Sequence, residues 1–245
     1  MAQQMESAIS WVPLRVSPSG SLARFPEELG IPVPIVFSTS AAGNTSPMYG
    51  DSEVALRNRR AVLEEAGLAG RIVTMKPQGK HGLAIVPPAG DKVVPPGGDT
   101  VECDGLMTGQ ADVALELRAA DCFPVVLFGE SPSGNICFSL LHAGRTALEG
   151  DIVKRGVASL SDEFCVSLAT MSLIAGPGIC KGCYGGNDLQ LKIRVQATEA
   201  GLRGPMIFAD RFTCHGQDPR FPSSARAKKE CTPQERFMAV AGPLV

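Results

Sequence analysis

Apolar residues in this chain come in short runs separated by glycine, proline and serine, and their spacing changes along its length. Ile31 to Thr39 (IPVPIVFST) predicts an extended segment, because Pro32 and Pro34 oppose helix while Ile35, Val36 and Phe37 favour strand. Between Asp51 and Gly67 the period becomes helical: Asp51 can cap the segment, Val54, Ala61, Val62 and Ala66 share a face, and Gly67 stops it. Runs rich in Val, Ile, Leu and Phe at 71–75, 83–86, 113–118, 124–128 and 135–141 predict strands. A helix is expected just after His142, where Thr146 and Glu149 stand at capping-box spacing and Leu148, Ile152, Val153, Val157 and Leu160 follow at helical intervals. Further strands are expected at 166–175, 205–209 and 237–241, with a helix over 189–200. Residues 1–30 mix Pro, Ser and Gly with isolated apolar residues and predict an irregular arm or a short edge strand. Together the pattern predicts the α+β class, a mixed β-sheet core flanked by helices, with residues 31–245 forming a single domain.

Composition narrows what such a domain does. With 245 residues, 44% hydrophobic and 20% charged, the chain can bury a sizeable core. Its 23 basic and 25 acidic residues leave no positive surplus for a nucleic acid or an anionic membrane. The longest apolar runs fall far short of the roughly 20 residues that span a bilayer. The N-terminal sequence MAQQMESAIS lacks a positive region followed by an apolar stretch, so a cytoplasmic location is expected. The eight cysteines are too few and too scattered for a disulfide scaffold, and only three histidines, His81, His142 and His215, are available for imidazole chemistry.

The most informative pattern is Ala120-Asp121-Cys122-Phe123-Pro124, followed by His142-Ala143-Gly144. If the strands beside them pair as a hairpin through Ser131-Pro132-Ser133-Gly134, Cys122 and His142 meet at one end of a sheet. His81 stands in a similar position before the 83–86 strand. Two imidazoles and a thiolate can hold a zinc ion and leave a fourth position for water, although a buried cysteine and a hydrogen-bonded histidine explain the same residues. Asp104 and Asp121 add carboxylates, and Asp121 can orient a ligand or take a proton. Cys180 and Cys183 form a C-x-x-C that could be a redox pair or half of a zinc site. Because Cys214-His215 offers poor spacing for a second half, these three cysteines are expected to be turn residues. Gly176-Pro177-Gly178 ends a strand where glycine permits close backbone approach to a ligand.

Taken in order, Phe37-Ser38-Thr39, Asn58-Arg59, His81-Gly82, Asp104-Gly105-Leu106-Met107-Thr108, Ala120-Asp121-Cys122-Phe123-Pro124-Val125, His142-Ala143-Gly144 and Gly176-Pro177 through Cys183-Tyr184 resemble the laccase-domain family. That family is also described as multicopper polyphenol oxidoreductase, peptidoglycan editing factor or purine nucleoside phosphorylase. The resemblance covers about residues 35 to 185 and implies a cytotoxic necrotizing factor-like α+β fold with a metal held by His81, Cys122 and His142. It implies phosphorolysis of adenosine, inosine and methylthioadenosine and deamination of adenosine, so that the partners are a purine nucleoside and phosphate. In that chemistry Cys122, His142 and Asp121 are catalytic, Asp121 or another carboxylate carrying the proton, and Ser38, Arg145 and Gly176 contact substrate. Zinc is expected rather than copper, since three histidines are too few for several copper centres.

This chain departs from the family pattern around the metal. Ser40 stands where the family has an arginine, and His142-Ala143-Gly144-Arg145-Thr146-Ala147 replaces H-A-G-W-R-G, moving the second arginine by one residue. Gly185 replaces a glutamate after Cys183-Tyr184, and the C-terminal aromatic-serine-tyrosine-arginine block is reduced to Phe221-Pro222-Ser223-Ser224-Ala225-Arg226. Three other functions therefore stay open at this level: a non-catalytic metal-binding relative, a thiol hydrolase with Cys122 as nucleophile and His142 as its base, and a copper-dependent polyphenol oxidase.

Overall fold

Two sheets rather than one form the centre of the molecule. The computed structural model describes residues 9–79, 82–86, 99–210, 212–214 and 220–244. One sheet is built from β1 (Ile9–Val12), β6 (Leu83–Ile85), β8 (Gly105–Thr108), β10 (Phe123–Glu130), β11 (Ile136–Ala143), β12 (Ser172–Ala175) and β13 (Met206–Ala209), in the order β1-β13-β12-β10-β11-β8-β6. The other takes β2 (Arg15–Val16), β3 (Leu22–Arg24), β4 (Ile35–Ser38), β5 (Arg71–Lys76), β7 (Asp99–Glu102), β9 (Val113–Ala119) and β14 (Phe237–Ala241), in the order β2-β3-β4-β14-β9-β5-β7. Both sheets mix parallel and antiparallel pairs, and the fold is of the expected α+β class.

Period-two alternation explains why the strands read as unbroken apolar runs. In β10, Val126 and Phe128 face the interior between the sheets, where they meet Leu115 and Leu117 of β9, while Val125 and Leu127 face the helices. In β14, Phe237 and Ala239 point inward and Met238 and Val240 outward. With both faces covered, neither set of positions needs to be polar. One outer face carries α1 (Ser52–Glu65); the other carries α2 (Arg145–Glu149), α3 (Ile152–Phe164) and α4 (Leu189–Glu199). The result is a helix, sheet, sheet, helix sandwich.

Asp51 caps α1 as expected, accepting from the backbone N–H groups of Glu53 and Val54. Its buried face, however, carries Ala55, Arg59, Val62 and Leu63, whereas Val54 and Ala61 face outward. Arg59 turns inward because the sheet offers it a buried carboxylate: its Nη2 lies 2.6 Å from Glu116 on β9, which also accepts from Thr74. A polar pair thus sets the helix face that an apolar count misplaces. The expected helix after His142 is divided at Gly150-Asp151, where Asp151 has φ 58°, and it begins on Gly144 without a side-chain cap, so Thr146 is not the start of a capping box. Only Ser172–Ala175 of the 166–175 run is strand, since Ser167 accepts from the Thr170 and Met171 N–H groups and makes a turn first.

Residues 9–24, within the expected irregular arm, supply β1 to the edge of one sheet and β2 and β3 to the other. Trp11 rests on Phe208 of β13, with ring centroids 5.1 Å apart. α5 (Ser224–Glu230), which carries Lys228-Lys229-Glu230, is capped by Ser223, whose side chain accepts from the Arg226 N–H.

Candidate functional site

Five strands of the first sheet bring chemistry to one end. β10 and β11 pair antiparallel with Pro124 opposite His142, and β8 pairs antiparallel with β11 so that Gly105 lies opposite Leu141. Cys122 precedes β10, His142 lies near the end of β11, and Asp104 precedes β8, so all three reach the same rim. β12 and β13 end at this rim as well, and the segments after them carry Cys180 and Cys214.

Cys122 and His142 meet over Gly144. A Cβ placed on Gly144 would lie 2.9 Å from Cys122 Sγ, 3.1 Å from His142 Cε1 and 3.4 Å from Nε2, so the absence of a side chain there makes the cradle in which the two converge. On the far side of the ring His142 Nδ1 is 3.4 Å from Asp104 Oδ1, leaving Nε2 for the Cys122 side. Asp104 is fully buried and well held: its carboxylate accepts from the Gly79 N–H at 3.0 Å, its N–H donates to the Gly82 carbonyl, and its own carbonyl accepts from the His142 N–H at 2.9 Å. Burial pulls the His142 pKa down, but the electrostatic pull of Cys122 and the hydrogen bonds that the ring makes to Asp104 and Cys122 outweigh it and raise the pKa to about 9. A cysteine sulfur and an imidazole so placed, with a carboxylate fixing the ring, are donors able to hold a metal ion. His81, the third expected ligand, lies outside the described residues.

Asp121 sits differently from the proton carrier expected of it. Its backbone has φ 86°, its Oδ1 accepts from the Thr213 hydroxyl at 2.8 Å, its Oδ2 accepts from the Ala225 N–H at 2.8 Å, and its carbonyl accepts from the Ile179 N–H at 2.7 Å. Each carboxylate oxygen is engaged with the scaffold. Asp121 is a strut that fixes the chain just before Cys122, and Asp104 is the carboxylate that reaches the histidine. Arg226 completes this clip by donating to the carbonyls of Thr213 and Phe221, which gives the reduced C-terminal block a structural task.

Two expected substrate contacts are also corrected. Ser38 is fully buried and its Oγ accepts from the Met238 N–H at 2.8 Å, inside the second sheet. Gly176 is buried where a Cβ would lie 2.4 Å from the Phe37 ring and 2.9 Å from Pro124, so its lack of a side chain serves packing. Gly178 does the same against Phe123. Together they let the chain after β12 lie flat on the start of β10 and bring Ile179 onto Asp121. Arg145, by contrast, is exposed at the start of α2. The half-buried Tyr184 hydroxyl has its pKa raised first by burial and next by the charge of Cys122, with Arg145 opposing, which puts Tyr184 near both. A separate cleft lined by Leu14, Val16, Thr39, Ser40 and Arg220 adjoins the end of β4.

The three cysteines expected to be turn residues converge. The sulfur atoms of Cys180, Cys183 and Cys214 lie within 4.8 Å of one another, a donor set able to hold a metal ion. The signal was the C-x-x-C itself; its partner, about thirty residues on, is brought in by the parallel pairing of β12 with β13 and by Thr213, whose N–H donates to the Gly178 carbonyl. Burial pushes the Cys214 thiol up to about 12, against the lowering effect of the Cys180 N–H.

Among the described residues no helix is long and apolar enough to cross a membrane. Three solved structures share the fold. YfiH, a hypothetical protein from Bacillus licheniformis, superposes with a TM-score of 0.76 at 18% identity, covering 94% of this chain and 98% of its own. YlmD from Geobacillus stearothermophilus gives 0.77 at 20% identity with the same coverage, and the Neisseria meningitidis protein NMB0706 gives 0.66 at 18%, covering 86% of this chain and 94% of its own. No curated protein matches the sequence. The family profile described as multi-copper polyphenol oxidoreductase laccase matches residues 37–203, more than half of the chain. That match spans Cys122, His142 and Asp104 together, and this chain belongs to the multi-copper polyphenol oxidoreductase laccase family.

Proposed function

We propose that this chain is a zinc-dependent enzyme of purine nucleosides, deaminating adenosine and cleaving nucleosides with phosphate, with Cys122, His142 and His81 holding the metal. The observation that carries this reading is the convergence of Cys122 Sγ and the His142 ring over Gly144, with Asp104 behind the ring. Mixed nitrogen and sulfur donors that leave a coordination position open suit catalysis. When bound there, zinc lowers the pKa of its water towards about 7 and supplies a nucleophile at neutral pH.

The chain's own groups do the rest. Asp104 accepts the Nδ1 proton of His142, which leaves Nε2 as the nitrogen for the metal, its own proton passing to solvent on binding. Asp121 holds the backbone from which Cys122 projects. Tyr184, half-buried and within electrostatic reach of Cys122, would give a proton to a departing base, and the exposed Arg145 would offer phosphate a planar cation. The family's copper-oxidase description fits this chain less well, because three histidines in the whole sequence do not furnish several copper centres.

One arrangement supports a second reading. Cys122, His142 and Asp104 in a line also form the nucleophile, base and orienting carboxylate of a thiol hydrolase. Incubating the protein with adenosine, with and without phosphate, and separating inosine, adenine, hypoxanthine and ribose 1-phosphate tests the leading reading. Inosine, or free base that requires phosphate, is expected, with more than about a 100-fold loss in Cys122→Ala and His142→Ala, beyond what losing a group behind a ligand costs. No turnover by folded, zinc-loaded protein rejects it. Activity that survives zinc removal and is abolished by alkylation of Cys122 favours the hydrolase.

A further inference from the structure

We propose that Cys180, Cys183 and Cys214 form a second zinc site, structural in purpose and separate from the one at Cys122 and His142. Three sulfurs within 4.8 Å of one another are drawn from two segments 34 residues apart in sequence. Zinc–sulfur bonds of about 2.3 Å in a tetrahedron place sulfurs about 3.8 Å apart, so closing on an ion needs only small side-chain movements. The local backbone already serves thiolates. The Cys180 N–H donates to Cys214 Sγ at 3.3 Å, and the Cys183 N–H donates to Cys180 Sγ at 3.4 Å across the Gly182 turn. Donors aimed at sulfur stabilise the charge that metal binding leaves on it. On binding, the thiol protons pass to solvent and three thiolates face a dication, with one nitrogen or oxygen ligand completing the tetrahedron.

The position of the trio gives the site its purpose. Ile179, next to Cys180, donates its N–H to the Asp121 carbonyl, and Thr213, next to Cys214, donates its hydroxyl to the Asp121 carboxylate. An ion joining Cys180, Cys183 and Cys214 therefore locks both arms that hold Asp121, and with it the approach to Cys122. It also anchors the short turn Gly182–Tyr184 that carries Tyr184. Three sulfurs among four ligands is the make-up of the Cys3His sites that build structure rather than react. This inference does not depend on the nucleoside reading and stands or falls by metal content.

Elemental analysis of the full-length chain purified after growth with zinc is expected to give two zinc atoms per molecule. The Cys122→Ala and His142→Ala double variant is expected to retain one, with three sulfurs and one light atom around it in X-ray absorption. Cys183 is exposed, so Cys183→Ser tests the trio without disturbing a buried position; it is expected to lose one zinc and keep the other. Cys214→Ser should give the same count. A single zinc in the wild type that survives Cys183→Ser, or an intact mass lowered by two hydrogens with Cys180 disulfide-bonded to Cys183, overturns the proposal.

Discussion

On one side of Asp121 stand Cys122 and His142, a cysteine and an imidazole that converge over Gly144; on the other stand Cys180, Cys183 and Cys214, three sulfurs of which two accept from backbone N–H groups. The first pair is positioned by a buried carboxylate that holds the ring and lies close to the exposed Arg145 and the half-buried Tyr184. The trio is positioned by turns, and its neighbours are the scaffold bonds of Asp121. The difference separates two uses of cysteine at one sheet rim. The pair is the centre proposed to react, and the trio the one proposed to hold the chain together.

The sharpest way to break the comparison is Gly144→Ala. Its backbone, at φ −87° and ψ 172°, suits alanine, so the effect comes only from a methyl group 2.9 Å from Cys122 Sγ and 3.1 Å from His142 Cε1. Displacing reacting groups by on the order of 1 Å costs roughly 100-fold, and adenosine turnover is expected to fall by about that amount while the trio keeps its metal. Asp104→Asn follows, with zinc affinity at the Cys122 centre, measured by chelator competition, weakened about 10-fold to 100-fold and the trio untouched.

Asp121→Asn sharpens the comparison by loosening both sides. Asparagine tolerates a positive φ, so the backbone stays while the charge that Thr213 and Ala225 bond to is lost. Calorimetry is expected to show a loss of about 2 kcal/mol, or roughly 6 °C in Tm for a chain of this size. Ser38→Ala gives the smallest change: the buried Met238 N–H loses its acceptor at about 1 kcal/mol, and the KM for adenosine stays as in the wild type. A raised KM would restore Ser38 to the substrate site.

Much of this was legible in the sequence because it rests on local chemistry. Pro32, Pro34 and the Ile35-Val36-Phe37 run gave the extended segment, Asp51 marked the start of α1, and the Ser131–Gly134 turn predicted the hairpin that brings Cys122 to His142. What escaped depends on partners distant in sequence. The buried face of α1 follows from Glu116, 57 residues beyond Arg59. β8, Gly105–Thr108, has a glycine where a Cβ would strike Leu83 and Leu141, so its place in the sheet is set by tertiary packing rather than strand propensity. The division of labour between Asp104 and Asp121 could not be read from either motif, since both aspartates stand beside a strand. It is decided by Thr213 and Ala225, about a hundred residues on, which occupy one carboxylate and leave the other for His142. The cysteine trio escaped for the same reason: Cys214 reaches the C-x-x-C only through the pairing of β12 with β13.

The proposal of two metal centres divided by Asp121 is put to the test by anomalous diffraction from crystals of the zinc-grown protein at the zinc absorption edge. It predicts two peaks, one bonded to Cys122 Sγ and His142 Nε2 and one among the sulfurs of Cys180, Cys183 and Cys214. A map with no peak at the Cys122 centre, or with none at the trio, would contradict it.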